Sequence, residues 1–149
     1  MKVIDHTPAV YFAGPDVFFP DSKQRGEQMR QEASRLGFCG MYPCDNVLGA
    51  GRTPSSLEIF NGNLDLINRA SYLIANLNPF RGQEPDSGTV WEVSYALAKG
   101  IPVVGYREDT RTMVEQMGLT NLSSDEAGLL RDNSGLMVEN FGHPLNLML

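Results

Sequence analysis

The chain has 149 residues, 42% hydrophobic and 20% charged, with a net charge of −6. This length and balance suit one domain with a buried core and exclude a disordered or fibrous chain. The acidic charge, with no Lys/Arg cluster, argues against nucleic acid or an anionic membrane surface as partner, and mildly against a phosphate-rich substrate.

Cys39 and Cys44 are separated by four residues, a spacing that matches neither a CxxC redox pair nor half a zinc site. With two His and no spaced ligand set, neither a catalytic metal nor another cofactor is expected. The opening MKVIDHTPAVYF is broken by Asp5, His6 and Pro8, so it lacks a signal-peptide core. No apolar run approaches membrane-spanning length, and a reduced, cytoplasmic location is the expectation.

In chain order, residues 9–13 (AVYFA) read as a short buried strand closed by Gly14-Pro15. Asp21 is placed to cap a helix through Leu36, with Gly37 ending it. Residues 38–42 make a second strand that stops at Pro43, followed by the polar loop CDNVLGAGRTP. Ser55 and Glu58 have capping-box spacing and open a helix to about Ala70. On it Phe60, Asn63, Ile67 and Ala70 form one stripe with Ile59 and Leu66 beside it. Asn63 therefore points inward, and Asp65, about 200° around the helix, points to solvent. A third strand (SYLIANL) follows, then a loop rich in Pro and Gly, a helix ending at Gly100, and a fourth strand (PVVGY). Residues 106–135 hold a short helix near 110–117 and polar loops around SSDEAG and RDNSG. Strands alternating with helices at these lengths indicate an open parallel sheet covered on both faces, in a single α/β domain of Rossmann or flavodoxin-like type.

In such sheets ligands bind beyond the carboxyl ends of the strands. Three distinctive loops share that edge: Gly14-Pro15-Asp16, Cys44-Asp45-Asn46 and Pro79 to Gly88. Gly14 and Pro15 are candidates for substrate contact, as is Gly88, which permits close backbone approach. Asp86 precedes the third helix and Glu92 lies just inside it. A helix N-terminus stabilises a nearby anion by about 0.3–1 kcal/mol, so Glu92 is expected to stay ionised, as a nucleophile must. A Glu in a first helical turn also suits the dipole with no chemistry attached. Tyr11 reads either as a core tyrosine or as the group that orients that carboxylate. Asn63 reads either as a buried amide satisfied by backbone or as a holder of a ligand amide. A sheet-edge Glu with a nearby Asp and no metal fits substitution at an anomeric carbon through a covalent glycosyl-enzyme, and two inversions give retention.

Three segments carry a resemblance: VYFAGPDVFFP at 10–20, FRGQEPDSGTVWEV at 80–93, with its Asp and Glu six apart, and FGHPLNLML at 141–149. In kind and order they are similar to the nucleoside 2-deoxyribosyltransferase family, which exchanges the base of a 2′-deoxynucleoside for a free purine or pyrimidine base. The resemblance implies that Glu92 is the nucleophile and that Tyr11 positions it. Asp86 then binds sugar hydroxyls and helps handle protons. Asn146 and Met148 match residues that reach into a neighbouring subunit, which implies a homo-oligomer with shared active sites. Where many members carry an Asp against the base, this chain has Asn63, which can bond a base edge but cannot act as an acid. Members continue past the last motif, so at Leu149 either the tail is absent or the terminal carboxylate ends close to the site.

The nearest rival is a hydrolase on the same fold that releases base from deoxynucleoside 5′-monophosphates. It would want a phosphate cradle of Ser, Gly or Arg, whereas GPDVFFPD is acidic and aromatic. Cytokinin-type phosphoribohydrolases carry a denser glycine motif than this chain does. A non-catalytic nucleoside-binding module is the remaining alternative.

Overall fold

Ala9–Ala13 (β1), Cys39–Met41 (β2), Tyr72–Asn76 (β3) and Val103–Tyr106 (β4) pair in parallel in the order β2-β1-β3-β4. The computed structural model describes residues 7–43, 45 and 52–149. The chain divides into a unit ending at Tyr106 and a second unit, Arg107–Leu149.

In the first unit, parallel neighbours need long crossovers and helices supply them. These are α1 (Ser22–Arg35), α2 (Ser56–Arg69) and α3 (Ser87–Ala98). The chain steps outward from β1 to β2, then back past β1 to β3. Right-handed crossovers therefore place α1 on one face and α2 and α3 on the other. This is the flavodoxin-like, doubly wound arrangement expected from the alternating elements. Strand order reverses between β1 and β3, and the gap there opens the crevice in which such sheets bind ligands.

Successive residues of a strand face opposite sides. Tyr11 on β1 is fully buried and reaches α3, while its neighbour Phe12 faces the α1 side. There Gly40 of β2 lies so close to α1 that a Cβ would sit 2.9 Å from the Arg30 Cα and 3.2 Å from the Phe12 ring. Ile67 of α2 and Leu73 of β3 complete the fully buried apolar centre.

The helix ends mostly follow the sequence signals. Ser55 and Glu58 form the expected capping box, and Gly37 and Gly100 take the left-handed conformation just past α1 and α3. Asp21 stands at the cap position of α1 without capping it. Its carboxylate accepts from Arg25 Nε at 2.9 Å, because a charged donor one turn on outcompetes a backbone N–H. Strand β2 is shorter than the expected 38–42. Phe38 N–H closes the end of α1 on Ala33, and Tyr42 N–H donates to Asp45. Phe60 is not on the buried stripe of α2, which runs through Gly62, Leu66 and Ile67. It is 46% exposed and packs on Trp91 of α3, which stacks on Tyr95. Asp65 faces solvent as expected and pairs with Arg69. Cys39 is exposed and unpaired, whereas Cys44 and Asn46 of the second loop lie outside the described residues.

The second unit opens with α4 (Met113–Met117), capped by a Thr112–Glu115 box. The stretch expected as polar loops is instead an antiparallel hairpin of β5 (Leu122–Ser124) and β6 (Leu130–Asp132). Its polar residues make the turns. Asp125 accepts the N–H groups of Ala127 and Leu129, and Asp132 those of Ser134 and Leu136. Gly128 and Gly135 supply the positive φ each turn needs. Among the described residues no helix is long and apolar enough to cross a membrane.

The contact of β2 with α1 generates a test. Gly→Ala in an open strand is neutral or stabilising. At Gly40 the new methyl meets backbone, so Gly40→Ala should cost about 1–3 kcal/mol by overpacking. Urea unfolding that shows equal or higher stability would contradict the α1–β2 packing.

Candidate active site

Three elements of the first unit converge on Glu92. Strand β1 brings Tyr11, whose hydroxyl donates to Glu92 Oε1 at 2.7 Å. Helix α2 brings Asn63, whose Nδ2 lies 3.5 Å from the same oxygen, at the outer limit of a hydrogen bond. Helix α3 carries Glu92 itself. Among the described residues nothing donates to Oε2. One carboxylate oxygen is thus held and the other is open.

Asp86 shapes the start of α3. Its Oδ2 accepts from Thr89 N at 2.9 Å and from Thr89 Oγ1 at 3.1 Å, making it the N-cap. Gly88 leaves room for that carboxylate, since a Cβ there would sit 3.0 Å from Oδ2. Oδ1 takes no hydrogen bond from a described residue and remains available. The spacing Asp86-Ser87-Gly88-Thr89 carries this capping signal in the sequence, beside the sugar-binding role that the resemblance implies for Asp86.

The expectation that the helix N-terminus keeps Glu92 ionised does not hold. Glu92 is the sixth residue of α3, in its second turn, and the dipole effect fades beyond the first. Burial raises its pKa to about 7, with the Tyr11 hydrogen bond opposing, the Asp86 charge adding and Asn63 opposing. A pKa unit is about 1.4 kcal/mol, so even a full dipole contribution of about 1 kcal/mol would offset less than one unit. Desolvation wins. A carboxyl group poised near neutrality is still usable as a base or nucleophile.

Gly14 and Pro15 leave β1 at the crevice, with Pro15 buried at the first position of a 3-10 turn, Pro15–Phe18. Sequence reasoning named Asp16 there only as part of its loop, with no role of its own, and did not single out Asn76. Asp16 is 4% exposed, and its Oδ2 accepts from Asn76 Nδ2 at 2.9 Å, joining the end of β1 to the end of β3. The signal was present in the GPD turn, but a buried acid after a strand has no sequence mark of its own. Asn146 and Met148 belong to the second unit. Asn146 Nδ2 donates to Glu139 at 2.8 Å, and Met148 is 81% exposed. Among the described residues no group of His, Cys, Asp and Glu is arranged to hold a metal.

Comparison with known proteins identifies the family. The family model described as nucleoside 2-deoxyribosyltransferase matches residues 10–148. A 2-deoxyribosyltransferase from Leishmania mexicana superposes with a TM-score of 0.78 at 37% identity, over 95% of this chain and 85% of that one. A 2-deoxyribosyltransferase from Bacillus psychrosaccharolyticus shares the fold, with a TM-score of 0.57 at 21% identity, over 72% of this chain and 78% of that one. An uncharacterized protein of Schizosaccharomyces pombe is 28% identical over 95% of this chain and 74% of its own length. A family match running almost end to end, with a solved 2-deoxyribosyltransferase of the same fold at 37% identity, places this chain in the nucleoside 2-deoxyribosyltransferase family, glycosyltransferases that act on N-glycosides.

Proposed function

We propose that this protein moves a 2-deoxyribosyl group between nucleobases by two displacements through a glycosyl ester on Glu92. The observation that carries the reading is the asymmetry of the Glu92 carboxylate, with Oε1 fixed by Tyr11 and Oε2 open. In the first step Oε2 attacks C1′ of a 2′-deoxynucleoside, and the base leaves with the electron pair of the glycosidic bond and takes a proton. In the second, an incoming base attacks C1′, expels the carboxylate and restores the β configuration. Water in place of the base gives some hydrolysis. Asp86 offers its open oxygen to the sugar hydroxyls and helps handle protons. Asn63 donates and accepts at the base edge but is no acid. Gly14, Pro15 and Gly88 line the substrate's path with backbone.

The reading carries with it one transferase-like domain over 1–149, as the match through 10–148 supports. It also implies a cytoplasmic place in nucleotide salvage and an oligomer of two or more subunits. In that oligomer Asn146 and Met148 complete a neighbour's site. Phe141, Leu147 and Met148 are exposed apolar side chains that such an arrangement would cover.

Deoxyinosine incubated with adenine should give deoxyadenosine and hypoxanthine. Release of deoxyribose alone would indicate a hydrolase, and binding without turnover a non-catalytic module. Glu92→Gln should abolish exchange yet be the more stable protein near neutral pH. In the wild type the raised pKa means the folded state holds this proton more tightly than the unfolded chain does. The corresponding stability is present in acid and lost as pH rises through about 7. The stability gap should therefore close toward about pH 5. An active variant, or one less stable than wild type at every pH, would contradict the role.

Only the carboxylate attacks, so kcat/KM should fall on the acid side with a midpoint near about 7. Tyr11→Phe removes a hydrogen bond to the ionised form and should move that midpoint to higher pH. A midpoint that stays in place or moves down would show that Tyr11 does not tune Glu92.

Complementation tests the shared site. Glu92→Ala should be inactive and Asn146→Ala weakly active, and co-expression should recover activity in mixed oligomers. If confirmed subunit mixing recovers nothing, Asn146 does not act across a subunit boundary.

A further inference from the structure

Asp16 takes no part in the chemistry above, yet it is a nearly fully buried carboxylate at the β1/β3 crevice. Burying a charge costs several kcal/mol unless it is paired and hydrogen-bonded. Here each oxygen has its own donor. Oδ1 accepts from Arg25 Nη1 at 3.0 Å, and Oδ2 accepts from Asn76 Nδ2 at 2.9 Å. Arg25 is itself fixed, with Nε on Asp21 and its guanidinium 4.3 Å from the centre of the Phe19 ring. Asn76 passes the connection on. Its Oδ1 accepts from Asn78 N at 3.2 Å and from Asn78 Nδ2 at 2.9 Å, where the loop after β3 begins. Gly14 crosses directly over this junction, where a Cβ would lie 2.8 Å from Asp16 Oδ2 and 2.9 Å from Asn76 Cβ. Its φ of 168° is ordinary extended backbone, so the demand on Gly14 is for space and not for conformation.

The same two loops also meet nearer the surface. Phe18, half-exposed, stacks on Phe80 with ring centroids 5.3 Å apart, and the Arg81 guanidinium lies over both rings. Arg81 is the one non-glycine residue with positive φ among the described residues, at 55°. That conformation costs about 1 kcal/mol and persists where surrounding contacts hold it.

We infer that Asp16 is a positioning residue: through Asn76 it holds the loop after β1 and the loop after β3 in fixed register across the crevice. The first loop extends the strand that carries Tyr11, and the second delivers Asp86 and the helix that carries Glu92. A shift of about 1 Å between reacting groups can cost about a hundredfold in rate, so a clamp on both loops acts on catalysis without touching substrate. The inference rests on the transferase reading. Its effect belongs in kcat, because misaligned reacting groups lose transition-state stabilisation while ground-state binding persists.

Inverting the hydrogen bond tests it. In Asp16→Asn two amide donors face each other, in Asn76→Asp two carboxylates do, and the double variant restores one donor and one acceptor in the opposite sense. With deoxyinosine and adenine, each folded single variant should lose about tenfold or more in kcat with KM within about threefold of wild type. The double variant should regain about tenfold over the weaker single. Folded single variants with wild-type kcat would overturn the inference, as would a double variant no better than its parents. If either single variant fails to fold, Asn78→Ala carries the test, because it removes a side-chain donor to Asn76 while leaving Asp16 and Asn76 themselves in place. Reduced kcat with unchanged KM then supports the clamp, and wild-type kcat rejects it. Absence of exchange by the wild-type protein is a separate result that removes the transferase reading itself.

Discussion

Everything in the first unit is arranged around one hydrogen bond, from the Tyr11 hydroxyl to Glu92 Oε1. Taking a carboxylate out of water disfavours its charge, and here burial outweighs the combined pull of Tyr11 and Asn63. The tyrosine therefore does not make Glu92 a strong acid. It limits how far burial raises the pKa, and it fixes which oxygen is occupied. A carboxyl group near neutrality is more nucleophilic once ionised than one held low by a salt bridge, because no cation has to be pulled away from it. The Asp86 charge pushes in the same direction as burial, so a substrate that engages Asp86 would also bear on the ionisation of Glu92.

The doubly wound topology makes this hydrogen bond possible. Tyr11 lies on β1, the strand at which the winding reverses, and its side chain faces α2 and α3. The three groups meet in space from positions 11, 63 and 92 because consecutive crossovers stack α2 and α3 on one face. Beyond the reversal, the loops after β1 and β3 run side by side. Asp16 and Asn76 join them beneath, and Phe18, Phe80 and Arg81 join them above.

Much of this could be read from the sequence. Alternating strands and helices define the fold class, and the Ser55–Glu58 pair and the glycines at 37 and 100 mark helix ends correctly. The inward direction of Asn63 and the outward direction of Asp65 follow from helix periodicity alone. What could not be read has physical reasons. The ionisation of Glu92 depends on burial in three dimensions, which no spacing reveals. Phe60 has the period of a core residue but lies at the surface because Trp91 of a neighbouring helix offers it an aromatic partner. The hairpin of the second unit was hidden because its strands are three residues long and its polarity belongs to Asp-built turns.

The proposed chemistry attaches Glu92 covalently to the sugar. The most direct measurement uses a 2′-fluorinated deoxynucleoside, in which the electron-withdrawing fluorine slows both displacements so that the intermediate persists. Peptide mass spectrometry after brief incubation should show one fluorodeoxyribosyl group, located on Glu92 and removed when a free base is added. A label on another residue, or no label while base exchange proceeds, would contradict the account.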